Sequence, residues 1–213
     1  MILPCLDEER AIPRVLAALP ENFRAIVVDN GSTDRSAAVA AELGATVVAE
    51  PHRGYGAAVT AGLRAASAEI VCFIDADGSL DLAELPRLVA AVADGDVDLA
   101  LGRRVIAERG AWPWHARVGN VLLAALLRKR GLRVHDIAPA RACRRTALLE
   151  LRVKDTGLGY PLEMLLKAGD AGWRVREFDV AYRARARGTV SKVSGSLPGT
   201  VRAVRDMHRV LRA

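Results

Sequence analysis

Asp75 and Asp77 stand one residue apart in the stretch "IVCFIDADGSLD", directly after an apolar run from Ile70 to Ile74. A third carboxylate, Asp29, closes the shorter run Ala25 to Val28. Any one of these could be a turn former, because Asp and Gly start turns and cap helices after strands. Three of them at the ends of separate strands are harder to read that way. Carboxylates this close repel unless a cation joins them, and Mg²⁺ or Mn²⁺ takes one or two carboxylates together with substrate phosphate oxygens. The chemistry implied is the holding of a diphosphate.

The elements that must position these residues alternate between strand and helix, the pattern of a largely parallel sheet covered by helices. Met1 to Pro4 reads as the end of a first strand with almost nothing before Leu3, which implies a truncation upstream or an unusually late start. Helices are predicted at Glu8 to Leu19, Ser32 to Leu43 with Ser32 as N-cap, Gly56 to Ala66 and Leu82 to Ala93. The intervening strands are Ala25 to Val28, Thr46 to Ala49, Ile70 to Ile74 and Val97 to Leu101. In an open parallel sheet, ligands bind outside the carboxyl ends of the strands, where Asp29, Asp75 and Asp77 fall.

After Gly102 the pattern loosens through Arg103, Arg104 and the segment Trp112-Pro113-Trp114 into a helix over Ala116 to Lys129. A further helix is predicted over Gly159 to Ala171. "WRVREFDVAY" reads as a strand with Phe178, Val180 and Tyr182 on one face. The tail from Val201 to Arg212 is an amphipathic helix, with Val204, Met207 and Leu211 on one side and Arg202, Arg205, Arg209 and Arg212 opposite. That tail suits an interfacial anchor or a packed surface helix equally. Trp112 and Trp114 could stack on a sugar, lie against a lipid or simply pack.

The 213 residues fit one sizeable domain or two small ones, and 51% hydrophobic residues are enough to fill a core. The formal charge of +6 points to an anionic partner, a phosphate or a membrane surface. With aromatics at 4%, the stacking platforms of a single-strand nucleic-acid binder are scarce, so no nucleic-acid partner is expected. Cys5, Cys72 and Cys143 are widely spaced and form no CxxC pair, as expected of reduced core residues in a cytoplasmic protein. His52, His115, His135 and His208 have no metal-ligand spacing. The longest apolar stretch, Val121 to Leu127, is far short of the roughly 20 residues that span a bilayer. A membrane contact would therefore be peripheral, at the inner face.

The segments "LPCLDEERAIPRVL", "VVDNGSTDRS", "HRGYGAAVTAGL" and "FIDADGS" resemble, in order, the donor-site motifs of family 2 glycosyltransferases with the GT-A fold, the group that includes polyprenyl-phosphate mannose and glucose synthases. "HDIAPARACRR", "GLGYPLEMLLKA" and "VAYRARARGTVSKVSG" are similar to the acceptor-side segments of that family. The resemblance implies an α/β fold, a single GT-A-like domain. Residues 1–102 would be its nucleotide-sugar-binding half on a mostly parallel sheet, 103–195 a mixed acceptor-side half and 196–213 a C-terminal amphipathic helix.

Carried over residue by residue, the resemblance puts Pro4, Asp7 and Glu8 along the nucleotide pocket, and Asp29 on the base with Gly31 in the same motif. Arg53 and Gly54 would close over the nucleotide. Asp75 and Asp77 would be the metal-binding DxD pair, Asp77 the more direct ligand. Arg141, Arg187 and Lys192 would meet phosphate, and Glu163 would sit where members that glycosylate hydroxyls keep a base.

The resemblance implies a single displacement with inversion, from a UDP-, GDP- or dTDP-sugar, dependent on Mg²⁺ or Mn²⁺. A hydroxyl acceptor needs Glu163 or Asp136 to take its proton. A polyprenyl phosphate, already ionised, needs cations instead. Arg103, Arg104, Arg183 and Arg185 are further candidates, against a reading of Arg183 and Arg185 as the protective charge of an edge strand.

Other classes fit less well. The dinucleotide fingerprint should follow the first strand and carry a third glycine, whereas "GYGAAV" follows the third strand and ends in Val59. A nucleotidyltransferase would need a Gly-rich basic loop after the first strand, where Asp7, Glu8 and Glu9 stand instead. A degenerate nucleotide-sugar-binding or membrane-surface protein of the same fold is the remaining alternative, and the intact Asp29, Asp75 and Asp77 argue against it.

Overall fold

The computed structural model describes residues 1–108, 110–185 and 197–212, and Arg187 and Lys192 lie outside them. Strand β1 (Ile2–Cys5) pairs in parallel with β2 (Ile26–Asp29) along its whole length, and β2 does the same with β3 (Thr46–Ala49). The first strand is thus as long as its neighbours. On its other side β1 meets β4 (Ile70–Phe73), again in parallel. The seven strands run in the order β3-β2-β1-β4-β6-β5-β7, with β5 (Leu99–Ile106), β6 (Ala140–Arg144) and β7 (Val175–Tyr182) completing one sheet.

β6 is antiparallel to both β4 and β5, so the second half is mixed, as expected. It is also the strand that sequence patterning misses. Two of its five residues are arginines, yet Arg141 is the largest fully buried side chain in the protein. β5 runs five residues past its expected end because β7 pairs with all eight of its residues, which places Arg103 and Arg104 in regular strand. The boundary expected at residue 102 therefore falls inside a strand, and the two halves share one sheet.

Alternate side chains leave each strand on opposite faces, and two cores result. Ile2, Val28, Phe73, Leu99 and Leu101 pack beneath α3 (Tyr55–Ala65), α5 (Trp114–Lys129) and α7 (Tyr160–Asp170). Leu3, Val27, Cys72, Ile74 and Ala100 face α1 (Ile12–Ala17), α2 (Ser36–Glu42) and α4 (Leu85–Ala93). Leu85, Leu88 and Val92 of α4 are fully buried, each worth about 1.5–3 kcal/mol of transfer free energy. A Cβ on Gly62 would lie 2.4 Å from Ile2 Cγ2, so this glycine lets α3 rest directly on β1. All three cysteines are buried thiols in these cores, as expected.

The starts of α1, α2 and α8 depart most from the sequence reading, and one helix was not expected. α1 begins at Ile12, with Pro13 in its first turn where no N–H is needed, because Glu8 to Ala11 form a turn in the loop above β1. α2 begins at Ser36 rather than after Ser32, since the Ser32 hydroxyl accepts the Asp7 N–H instead of capping a helix. A short helix, α6 (Arg145–Glu150), follows β6 unannounced. α8 (Leu197–Arg212) starts earlier than expected and turns Ala203, Asp206 and Met207 inward while Val204 is exposed. Its rotation is set by Asp206, which accepts the Leu158 N–H and pairs with Arg209. No helix among the described residues is long and apolar enough to cross a membrane.

Candidate active site

The loops after β1, β2 and β4 converge at the carboxyl edge of the sheet. In the first, Asp7 adopts φ +52° and its carboxylate accepts both the N–H and the hydroxyl of Thr33, while its own N–H goes to Ser32. Glu8, buried, donates its N–H to the Ser36 hydroxyl. Asp29 ends β2 and accepts the Ser32 N–H, and Pro4 lies beside it on β1, with Cys5 and Asp29 in register. The acidic loops above β1 and β2 are thereby stitched into one wall.

Arg53 lies over the turn at Gly31 and donates to its carbonyl at 2.8 Å. Gly31 has φ +83°, a conformation that side chains resist. Gly54 is tighter still, since a Cβ there would fall 2.1 Å from the Thr156 carbonyl oxygen. Asn30, not singled out from the sequence, organises this corner. Its side chain donates to the carbonyls of Glu50 and His52 and accepts the Gly54 N–H.

The N-terminus of α3 gives its N–H groups at Gly56 and Ala57 to the carbonyls of Gly157 and Thr156. It is closed by protein backbone, which disposes of the phosphate-loop reading of "GYGAAV".

Asp75 and Asp77 follow β4. Asp77 is buried; its Oδ1 accepts the Ser79 N–H at 2.9 Å, while its Oδ2 makes no hydrogen bond. The Arg185 guanidinium lies 2.8 Å from that Oδ2, in ion-pair contact but off the hydrogen-bond axis. Burial, and then the Asp77 charge, push the Asp75 carboxyl up to about 6, against the opposing pull of Arg185, Arg104 and Arg141. Two carboxylates short of compensation at one edge fit a divalent cation, whose remaining ligands would come from phosphate and water. Tyr55, missed in the sequence reading, is half-buried beside them. Its hydroxyl is pushed above its ordinary range by burial and by Asp75, against the opposing pull of Arg141.

Arg104, Arg141 and Arg185 thus converge electrostatically on Asp75, whereas Arg183 pairs with Asp81 and Arg103 with Asp179. Of the pair weighed as edge-strand charge, Arg185 reaches the site and Arg183 pairs with Asp81.

Asp136 and Glu163 are placed differently. Asp136 is gripped by Arg104, whose Nη2 reaches Oδ1 at 2.6 Å and whose Nε reaches Oδ2 at 2.9 Å. It also accepts the N–H groups of Arg104 and Ala138. Burial alone would push its carboxyl up, but the Arg104 hydrogen bonds and charge more than offset this and hold it below the usual range. Arg104 in turn stacks 3.7 Å from the Trp112 ring centroid. Trp112 is therefore packed, and Trp114 is the exposed member of the pair.

Glu163 accepts the N–H groups of Lys154 and Asp155, at 2.6 Å for the latter, and pairs with Lys167. Burial again opposes these contacts and loses, leaving the carboxyl below its ordinary value. Both candidate bases are spent on protein partners, and each is a weaker base than a free carboxylate.

Residues 1–152 match the model of the family described as glycosyl transferase family 2. An uncharacterized glycosyltransferase of Mycobacterium tuberculosis (strain ATCC 25618 / H37Rv) is 55% identical over 212 residues, covering 99% of this chain and 96% of its own. A dolichyl-phosphate hexose transferase of Haloferax volcanii is 31% identical over 87% of this chain and 83% of its own. Among solved structures, a glucosyl-3-phosphoglycerate synthase of M. tuberculosis in complex with Mg²⁺ and UDP superposes with a TM-score of 0.77 at 26% identity, over 99% of this chain and 76% of that one.

Proposed function

The chain belongs to glycosyl transferase family 2, and on that premise we propose that it transfers a sugar from a nucleotide diphosphate donor to a lipid-linked phosphate, with Mg²⁺ or Mn²⁺ held by Asp77 and Asp75. The observation that carries this reading is the buried Asp77 Oδ2, which has no hydrogen bond beside a second carboxylate already pushed up to about 6. A divalent cation held by these two carboxylates would supply the positive charge that a departing diphosphate needs. The structural neighbour solved with Mg²⁺ and UDP supports the same donor chemistry.

The chain's own groups have distinct tasks. Asp29, with Pro4, Asp7 and Glu8 near it, lines the nucleotide side. Arg53, fixed on Gly31 and followed by the close-packed Gly54, closes over it. Arg185 is the counter-charge that an arriving cation must share or displace. Arg104 and Arg141 set the positive field an ionised acceptor needs, and Arg187 and Lys192 join them in this proposal.

An ionised acceptor is favoured because Asp136 and Glu163 are both held by protein partners and depressed in basicity, so neither is poised to deprotonate a hydroxyl. The dolichyl-phosphate hexose transferase relative is named for a lipid phosphate, which supports the same reading.

The test is calorimetric titration with UDP, GDP and dTDP, each with Mn²⁺ and again with EDTA. Incubation with the matching nucleotide sugar and polyprenyl phosphate follows, read by mass spectrometry. Binding of one nucleotide that EDTA abolishes, followed by a glycosylated lipid phosphate, is the expected result. No metal-dependent binding would overturn the donor assignment. Sugar released only onto a soluble hydroxyl compound would overturn the acceptor.

A further inference from the structure

Helix α5 carries two apolar faces. Asn120, Ala124 and Leu127 are buried against the sheet, as any surface helix requires. On the other side Trp114, Val118, Val121 and Leu122 fall at i, i+4, i+7 and i+8, within about 100° of one another, and all four are exposed. Trp114 is 76% exposed and Leu122 65%. Val105 and Ile106, at the exposed end of β5, extend the patch, joined to Val121 across a groove of about 360 Å³. Isolated exposed aliphatic residues are ordinary, but a continuous apolar stripe ending in a tryptophan marks a contact surface.

We infer that this face of α5 docks on an anionic lipid surface. Its border is cationic: Arg117 flanks the stripe, and Arg128, Lys129 and Arg130 close the helix. The helix contains no Asp or Glu. An apolar stripe bordered by Arg and Lys, with a tryptophan at one end, is the composition of a helix that lies in the headgroup plane. A second copy of the chain fits poorly, because a two-fold contact of α5 on α5 would set these cations against themselves with no carboxylate on the helix to meet them. α8 is a weaker candidate, since its exposed Val201 and Val204 alternate with Arg205, His208 and Arg212.

The position of the face gives it a use. The groove shared by Val105, Ile106 and Val121 is also lined by Arg103, Arg104 and His135. A bilayer against the stripe therefore brings headgroup phosphates level with the arginines beside the candidate site. This deepens the proposed function and rests on it for that use alone. Docking itself can be measured without donor or acceptor, so its failure and the failure of the transfer reading are separable.

The experiment is sedimentation of the full chain with vesicles of phosphatidylcholine containing about 30% phosphatidylglycerol, and with phosphatidylcholine alone. Wild-type protein is expected to bind the anionic vesicles, and to bind the neutral ones about tenfold or more weakly. Val118→Glu combined with Leu122→Glu is expected to weaken binding on the order of a hundredfold, with melting temperature and nucleotide binding unchanged. Wild-type protein left in the supernatant with both vesicle types would overturn the inference, as would a double variant that sediments like wild type. A wild-type dimer by light scattering that the same double variant splits would also overturn it, by making the occupant a second copy.

Discussion

Asp77 and Asp136 are equally buried, each 2% exposed, and each lies beside an arginine of the second half of the chain. Around Asp136 every requirement is met from within: Arg104 binds both oxygens, two backbone N–H groups add to it, and Trp112 covers the guanidinium. Around Asp77 one oxygen has no hydrogen bond, the arginine is off axis, and the neighbouring carboxylate is raised rather than lowered. A buried charge that its surroundings do not satisfy is costly, and sites that keep one commonly do so for a ligand. The contrast shows Asp136 committed to partners within the protein, and it supports the proposal that Asp77 receives something from outside.

The largest effect is expected from Asp77→Ala. Loss of the direct ligand should lower transfer on the order of a thousandfold or more, and should cost less stability than loss of Asp136, since only one Asp77 oxygen is hydrogen-bonded and its arginine is off axis. Turnover under metal saturation and a denaturant melt together check it. Undiminished turnover would sink the assignment of the pair to the metal. A large loss of stability would show that Asp77 is as structural as Asp136.

Asp136→Ala should do the reverse, costing about 3 kcal/mol of stability by leaving Arg104 buried without its counter-charge. Urea denaturation of the variant reads this directly. A loss below about 1 kcal/mol would erase the difference between the two carboxylates and free Asp136 to be considered as a base again.

Much of this was legible in the residues, and the rest was hidden for identifiable reasons. The parallel strands and their terminal carboxylates could be read because apolar runs ending in Asp are local signals. β6 could not, because Arg141 and Arg144 break its apolar pattern, and the strand residues in register with Arg141, Phe73 and Leu101, are far away in sequence. Asn30 was not legible because its work is done on carbonyls twenty or more residues away. The roles of Asp136 and Glu163 followed the same logic. A carboxylate's availability depends on which N–H groups the fold brings to it, and Lys154, Asp155 and Arg104 carry no mark in the sequence of where their N–H groups will point.

The smallest expected effect is also the sharpest discriminator between the two regions, because their carboxylates titrate with opposite sign. Asp75 is raised on folding, so its contribution to the stability of the ligand-free protein is fully present below the unfolded value near 3.8 and is lost as pH rises through about 6. Asp136 is lowered, so its contribution is present above its unfolded value and is lost only as pH falls through the still lower folded one. Between pH 5 and 7 Asp136 stays ionised while Asp75 changes state.

A cation needs Asp75 deprotonated. Metal-dependent nucleotide binding should therefore weaken about tenfold from pH 7 to pH 5, with proton release near the lower end, visible as a dependence of the binding heat on the buffer. Asp136→Asn should retain that profile even though it is less stable. A flat affinity across this range would mean that Asp75 is already ionised by its arginines, and that the edge is as well compensated as the cluster around Asp136.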